Sequence, residues 1–418
     1  MNDSNLRFER PTVSVAEARE LIVPWIRLTE EESIPLSRAF GRRIAHRVFA
    51  GHPVPHFRRS GVDGYAVRSD DIRGATPEHP VFLQVVEHIP SGSLPERCIT
   101  PGTAARIMTG APVPDEADTV VMLEMTDSLL GEGQTSQVAV KKALPPGRNV
   151  TPVAGEIAEG EKLLEEGDLI RAGEAAILST FGYADVQVRR KPKVAIFSTG
   201  SELLNVEEKL MPGRIRNSNS YMLAAQVESA GGIANIMPVL SDDADIVQAA
   251  ITDAFRNADL VITSGGVSVG DYDVLVHLFG RWDGKLLFNK VAMRPGSPTS
   301  AAVWQDRLLF ALSGNPGASY VGFELFVRPV LLGMQGASRL TPEPRTAFLD
   351  SDYNKGSAHP RYVRGTTRAA DGRLWVRPAG IDKSSIMVSI KDADCLILIP
   401  AGGSGTPQGG QVTIYPLE

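Results

Sequence analysis

Three short segments combine glycine with hydroxyl side chains. They are Thr199-Gly200-Ser201-Glu202, the stretch from Ser264-Gly265-Gly266 to Asp271, and Ser313-Gly314-Asn315-Pro316. Glycine lets a backbone come close to a ligand, and free N–H groups with hydroxyls suit phosphate oxygens. A single loop of this kind is more simply a turn; three in one stretch of chain point to a phosphorylated ligand. None has the P-loop spacing, and none is a dinucleotide fingerprint followed by a well-placed acid. Acidic residues accompany the loops: Glu202, Asp242, Asp243, Asp271 and Asp273. Carboxylates beside a phosphate repel it unless a hard cation lies between, which implies Mg2+. Helix capping accounts for Asp242 and Asp243 equally well, and Asp273 could cap a following helix. Lys290 and Arg294 stand four apart before Pro295-Gly296. On an extended segment they share a face and could hold an oxyanion, although a solvated strand edge fits the same spacing. Asp63-Gly64, within 60–68 (SGVDGYAVR), reads as a turn, and Thr109 begins a rigid Pro-containing loop.

These residues need elements to position them. In residues 191–335, short apolar strands alternate with helices. KVAIFS (193–198) ends in Thr199-Gly200, DLVIT (259–263) in Ser264-Gly265-Gly266, and 308–312 in Ser313-Gly314. Helices are expected over 217–230, 242–257 and from Pro316 to about Leu332, with a strand over 233–239. Such alternation gives a parallel sheet covered on both faces, with ligands beyond the carboxyl ends of the strands. Residues 51–149 carry Pro and Gly clusters between short β-prone runs (81–86, 119–124, 137–140), which predicts a β-rich module. Past Pro342 and Pro344, runs at 361–364, 374–378, 395–399 and 411–415 predict a small β-domain or barrel. Ser14 and Glu17 form a capping box for a helix over about 14–28, with Ala18, Leu21, Ile22 and Trp25 on one stripe. A second amphipathic piece is expected around 36–45, and a helix over 172–181.

Composition narrows the class. The chain has 418 residues, a net charge of −6, 43% hydrophobic and 22% charged residues. That length predicts about two to four domains, and the composition excludes wholesale disorder. A mildly acidic chain is a poor non-specific nucleic-acid binder. Cys98 and Cys395 form no CxxC and sit near no His cluster, so they read as two free thiols in a reducing compartment. No apolar run reaches the length of a transmembrane helix, and residues 1–11 are polar without a signal-like apolar core. A cytoplasmic protein is expected.

Together the segments resemble the molybdopterin molybdenumtransferase family, the MoeA proteins and the gephyrin E-domain. The resemblance rests on SGVDGYAVR (60–68), RIMTGAPVP (106–114), FSTGSEL (197–203), NSNSY (217–221), TSGGVSVGDYD (263–273) and SGNPGAS (313–319), in family order and spacing from about residue 10 to the C-terminus. It implies four parts. Residues 8–50 and 150–190 would form a discontinuous linking and dimerisation domain, with the 51–149 β-rich module inserted in it. Residues 191–335 would be the molybdopterin-binding α/β domain, and 340–418 a β-barrel. It implies a homodimer whose cleft combines the α/β domain of one subunit with the inserted module of the other, supplied by a molybdopterin adenylyltransferase. The implied substrates are adenylylated molybdopterin and molybdate, with AMP released and molybdenum left on the dithiolene sulfurs. Carried over by motif position, the catalytic set is Asp63, Glu202, Asp243, Asp273, Lys290 and Arg294. Glu202, Asp243 and Asp273 would hold Mg2+. Thr109, Thr199, Gly200, Ser264, Gly265, Gly266, Ser313, Gly314, Asn315, Pro316, Arg364 and Ser384 would line the substrate site.

The chain also departs from the family pattern. Ser297 stands where many relatives carry lysine, and Thr151 where an arginine is common. Glu156 stands at or near the place of a usual aspartate, as a further candidate for the metal, and 383–399 is less glycine-rich than usual. Two other readings compete with the transferase. A non-catalytic molybdopterin-binding or scaffold protein of the same fold is disfavoured by the complete acid-and-cation set. An unrelated small-molecule kinase would need a basic phosphate loop, which is missing.

Overall fold

The computed structural model describes residues 11–130, 136–240, 243–265 and 284–417. The chain divides into two compact units, each described here by itself. One holds residues 1–46, 166–176 and 183–418; the other holds 47–165 and 177–182.

The first unit contains a six-stranded sheet in the order Ile233–Ile236, Lys193–Ser198, Leu260–Ser264, Arg307–Leu312, Ser300–Trp304, Lys285–Phe288. The first four strands are parallel and the last two antiparallel. The expected parallel sheet is therefore mixed at one end, because Gln305 and Asp306 turn the chain straight back between two strands that a crossover would have kept parallel. Leu260–Ser264 is buried at every residue, as expected for a strand covered on both faces. The period-2 alternation sorts its side chains. Leu260 and Ile262 join a cluster with Leu223 and Val227 of helix Asn219–Ser229 on one face. Val261 joins Val247 and Ile251 of helix Ala244–Ala254 on the other. In register, Ser198 pairs with Ser264 and Ser264 with Leu312. The carboxyl ends therefore finish level, on one side of the sheet.

The C-terminal strands close into a barrel in the order Arg345–Leu349, Arg373–Pro378, Arg361–Ala370, Cys395–Ile399, Gln411–Pro416. Its interior is filled by Val363, Val376, Ile397, Val412 and Ile414 among others. Cys395 is buried there, and burial pushes its thiol pKa up. Both cysteines are free, with Cys98 exposed.

The second unit carries a six-stranded sheet in the order Thr119–Met122, Gly64–Val67, Thr103–Ile107, Val81–Ile89, Ser136–Val140, Thr126–Leu130. Asp63-Gly64 is more than a turn. Gly64 opens a wholly buried strand that pairs with both Ile107 and Met122.

Several element boundaries need correction. The first helix spans only Val15–Ile22, with its capping box intact, and passes into a 3-10 turn at Val23–Trp25 because Pro24 removes a backbone donor. Residues 36–45 form no amphipathic helix: a 3-10 turn at Leu36–Arg38 gives way to extended backbone, with Ile44 bridging Val188. The long helix after Pro316 is interrupted by a π-helical stretch at Phe323–Val327 before it resumes at Arg328–Met334.

Candidate active site

Beyond the level strand ends lies a cleft of about 910 Å³. Its α/β wall is built from Ser198–Gly200, Glu202, Asn217–Asn219, Ser264-Gly265 and Ser313–Pro316; the opposite wall comes from Arg294–Pro298 and the barrel's Gly356–Ala358, Arg361 and Asp382–Ser384. The cleft therefore brings together Thr199, Gly200, Glu202, Ser264, Gly265, Arg294, Ser313, Gly314, Asn315, Pro316 and Ser384 from the expected set.

Hydrogen bonds explain why the α/β wall has this shape. Ser198 Oγ donates to Asn217 Oδ1 at 3.0 Å, and Asn217 Nδ2 donates to Ser220 Oγ at 2.9 Å. Asn219 Nδ2 bonds both Ser264 Oγ (2.7 Å) and the Gly314 carbonyl (2.8 Å). One amide thus joins two strand-end loops to the start of a helix. Gly265 has φ +95°, and a Cβ there would lie 2.6 Å from the Thr199 carbonyl oxygen, so only glycine lets these two loops approach. Among the described residues, two buried polar atoms of this wall have no hydrogen-bond partner: Thr199 Oγ1 and Asn219 Oδ1. Unpaired buried polar atoms are costly, which makes both candidates for a bond to a ligand or water. Asn217, Asn219 and Ser220 were absent from the expected site. Their signal was the NSNSY run opening a helix beside a strand end.

The barrel wall is ionic. Arg361 Nη2 donates to Asp382 Oδ2 at 3.0 Å and Arg361 Nε to the Tyr353 hydroxyl at 2.8 Å, while Tyr353 Oη itself donates to Asp382 Oδ2. Burial alone would raise the Asp382 pKa; the bonds from Tyr353 and Arg361 outweigh it and hold the carboxyl below its ordinary value. Burial and the neighbouring Asp382 push the Tyr353 phenol up. Arg364 is buried behind this wall, with Nη2 on the Lys383 carbonyl at 3.1 Å and Nε on Ser389 Oγ at 3.2 Å. It supports the Asp382–Ser384 loop and is not on the cleft lining. The Gly317 N–H bonds the Ser384 carbonyl at 2.8 Å, which ties that loop to the helix after the third strand end.

Other expected residues lie elsewhere. Lys290 is half-buried and off the cleft lining: its carbonyl accepts from Val13 N at 3.1 Å, while Arg294 N bonds the Pro360 carbonyl at 2.9 Å. The backbone bends at Ala292 between the two cations, with Met293 N on the Val291 carbonyl at 2.8 Å, so the segment is not one straight strand. Asp243 caps helix Ala244–Ala254, accepting from Asp245 N (2.9 Å) and Ile246 N (3.1 Å), and is off the lining. Gly266, Asp271 and Asp273 lie outside the described residues, as does Asp242. Among the described residues no group of three His, Cys, Asp or Glu could hold a metal. Glu202 and Asp243 do not make a magnesium site on their own.

In the second unit, the motifs around Asp63 and Thr109 form one feature. Thr109 N and Oγ1 both donate to Asp63 Oδ1 at 2.7 Å, and these bonds hold the Asp63 carboxyl below its ordinary pKa. Ser60 N bonds the Ala111 carbonyl and Gly110 N the Ser60 carbonyl, binding the two loops together. Glu156 is exposed and pairs with Arg59 Nη2 at 3.1 Å.

The comparisons with known proteins agree with this arrangement. Residues 13–182 match the MoeA N-terminal region (domain I and II), 195–333 the probable molybdopterin binding domain, and 346–417 the MoeA C-terminal region (domain IV). The molybdopterin molybdenumtransferase of Bacillus subtilis (strain 168) is 41% identical over 412 residues, covering 98% of this chain and 95% of the relative. That of Staphylococcus epidermidis (strain ATCC 12228 / FDA PCI 1200) is 38% identical over 98% of this chain and 97% of its own length. The crystal structure of the molybdopterin biosynthesis moeA protein from Pyrococcus horikoshii OT3 superposes with a TM-score of 0.83 at 29% identity, covering 97% of this chain and 100% of that one. With its strand-end cleft, its closed barrel and relatives matched along nearly the whole length, the chain belongs to the molybdopterin molybdenumtransferase (MoeA) family.

Proposed function

We propose that this protein is a transferase of molybdenum cofactor biosynthesis, which takes adenylylated molybdopterin and molybdate, releases AMP and leaves molybdenum on the dithiolene sulfurs. The observation that carries this reading is the cleft itself: three level strand ends, at Thr199-Gly200, Ser264-Gly265 and Ser313-Gly314, line it together with Arg294 and Arg361. Every group of the two substrates that must be neutralised is anionic, and catalysis of phosphoryl chemistry is largely placement of positive charge and N–H donors. Thr199 Oγ1 and Asn219 Oδ1 supply a hydrogen-bonding hydroxyl and an amide acceptor without a competing protein partner. The side chain of Arg294 is exposed and bonds no other side chain among the described residues, which leaves its fork for an oxyanion.

The reading extends to a cytoplasmic homodimer, served by a molybdopterin adenylyltransferase, in which Asp63 and Thr109 take part in the reaction. It includes magnesium as an expectation that the family resemblance carries; a chelator titration tests it. Among the described residues no helix is long and apolar enough to cross a membrane. The test of the reading is metal insertion: molybdate-dependent reconstitution of a metal-free molybdopterin enzyme by the wild type and by Asp63→Asn. The wild type reconstitutes activity, while Asp63→Asn does not and keeps its thermal transition, because a carboxylate at a loop contributes little packing. Normal insertion by Asp63→Asn would remove Asp63 from the reaction; no insertion by the wild type would remove the reading.

A further inference from the structure

The cleft's barrel wall holds a feature that the motifs do not announce. Arg294 and Arg361 are partners in a parallel β-bridge, closed by Arg294 N to the Pro360 carbonyl (2.9 Å) and Tyr362 N to the Arg294 carbonyl (2.8 Å). Residues opposed in this way put their side chains on one face, and both line the cleft. Arg361 is also fixed: Nε is held by Tyr353 and Nη2 by Asp382, whose carboxyl stays ionised. Among the described residues, these bonds leave Nη1 without a hydrogen-bond partner. Lys383 lines the same wall with its side chain exposed. Asp382 is engaged by Arg361 and Tyr353 and faces Lys355 Nζ at 3.8 Å, so it offsets only part of this positive charge.

We propose that Arg361, positioned by Asp382 and Tyr353 beside Arg294, is a substrate-binding residue that takes a tetrahedral dianion at the barrel wall of the cleft. The proposal rests on the transferase reading, which supplies two sources of such a dianion: molybdate, or a phosphate of the pterin nucleotide. A guanidinium suits this role because its fork is planar and less of its freedom is lost on binding when two of its nitrogens are already held. Asp382 is a positioning residue. Its carboxylate costs attraction for an anion and is useful there only through the orientation that it gives Arg361.

That opposition of signs provides the test. Isothermal titration of the full-length protein with sodium molybdate and, separately, inorganic phosphate would be run on the wild type, Arg361→Gln, Arg361→Lys and Asp382→Asn. Loss of one charge-assisted bond predicts roughly ten- to hundred-fold weaker binding for Arg361→Gln, with Arg361→Lys between it and the wild type. Asp382→Asn makes the cleft more positive, yet the proposal predicts weaker binding by a few-fold. Stronger binding by Asp382→Asn, or unchanged binding of both anions by Arg361→Gln, overturns the proposal. Weakening of molybdate alone, phosphate alone or both supports it and names the source. If Arg361→Gln does not fold, the double variant Arg361→Gln/Asp382→Asn removes the unpaired carboxylate and carries the same expectation of weaker binding; wild-type affinity in it counts against the proposal. AMP release separates the two claims: a wild type that releases AMP while Arg361→Gln binds normally keeps the transferase and loses this subsite.

Discussion

The two walls of the cleft solve the problem of an anionic ligand in opposite ways. The α/β wall carries Glu202 and Arg216 on its lining, but its strand ends are neutral, made of amides and hydroxyls whose geometry is fixed by Asn217, Asn219 and Ser220. The barrel wall is ionic: Arg361 is steadied by one carboxylate and one phenol, and Arg294 lies beside it across a β-bridge. The burial explains the difference. Ser198, Asn217, Asn219, Ser220 and Ser264 are all buried, where an unpaired charge is expensive and a satisfied neutral network is not. Arg294 is exposed and the Arg361 side chain is 20% exposed, so charge there remains hydrated until a ligand arrives. The neutral wall gives shape; the ionic wall gives attraction.

The largest expected effect comes from joining the walls wrongly. A Cβ on Gly317 would lie 2.2 Å from Arg364 Nη1 and 3.0 Å from the Ser384 carbonyl oxygen. Gly317→Ala must displace the loop that carries Asp382–Ser384, and misplacement by about 1 Å costs roughly 10²-fold in rate. Steady-state AMP release checks this, and a rate within threefold of wild type would show that the two walls act independently. Asn219→Ala comes next. It removes two bonds of the neutral wall, with an expected loss of about 1–3 kcal/mol in thermal or urea unfolding, and it weakens binding of the pterin nucleotide. Unchanged unfolding would mean that the neutral wall is not a fixed scaffold.

Salt sharpens the contrast. Raising ionic strength from about 0.1 M to 1 M shortens the screening length from about 10 Å to 3 Å. Molybdate binding should weaken several-fold in the wild type and less in Arg361→Gln, whereas the Asn219→Ala stability deficit should be nearly unchanged. Equal salt dependence in wild type and Arg361→Gln would deny the barrel wall its electrostatic role. The smallest effect concerns pH. The folded-state pKa of Asp382 is depressed, so its stabilising contribution is complete above the unfolded value, about 3.9, and is lost as pH falls through the folded one. The melting-temperature gap between wild type and Asp382→Asn should therefore be constant from about pH 5 to 8 and close at lower pH. A gap that closes near pH 6 would contradict this.

The neutral wall was largely legible in the sequence, and the ionic wall was not. Thr199, Ser264 and Ser313 each follow an apolar run, so their place at a strand end depends on local pattern. Even there, the bonds of Asn219 to Ser264 and Gly314 required knowing which strands are neighbours. Arg361, Tyr353 and Asp382 come together only because the barrel closes, and Arg294 meets Arg361 only through a bridge between segments far apart in sequence. The spacing of Lys290 and Arg294 has the same limit: a spacing of four defines a face only while the backbone stays straight, and it bends at Ala292. Arg364 was named by motif, yet its role behind the Lys383 carbonyl is visible only in the packed structure.

The decisive measurement is AMP release from adenylylated molybdopterin by the purified protein, with and without molybdate. A molybdenum-inserting transferase releases AMP in a molybdate-dependent way. Tight binding of the pterin nucleotide with no release, under conditions where a family enzyme turns over, would contradict it and leave a binding protein with the same cleft.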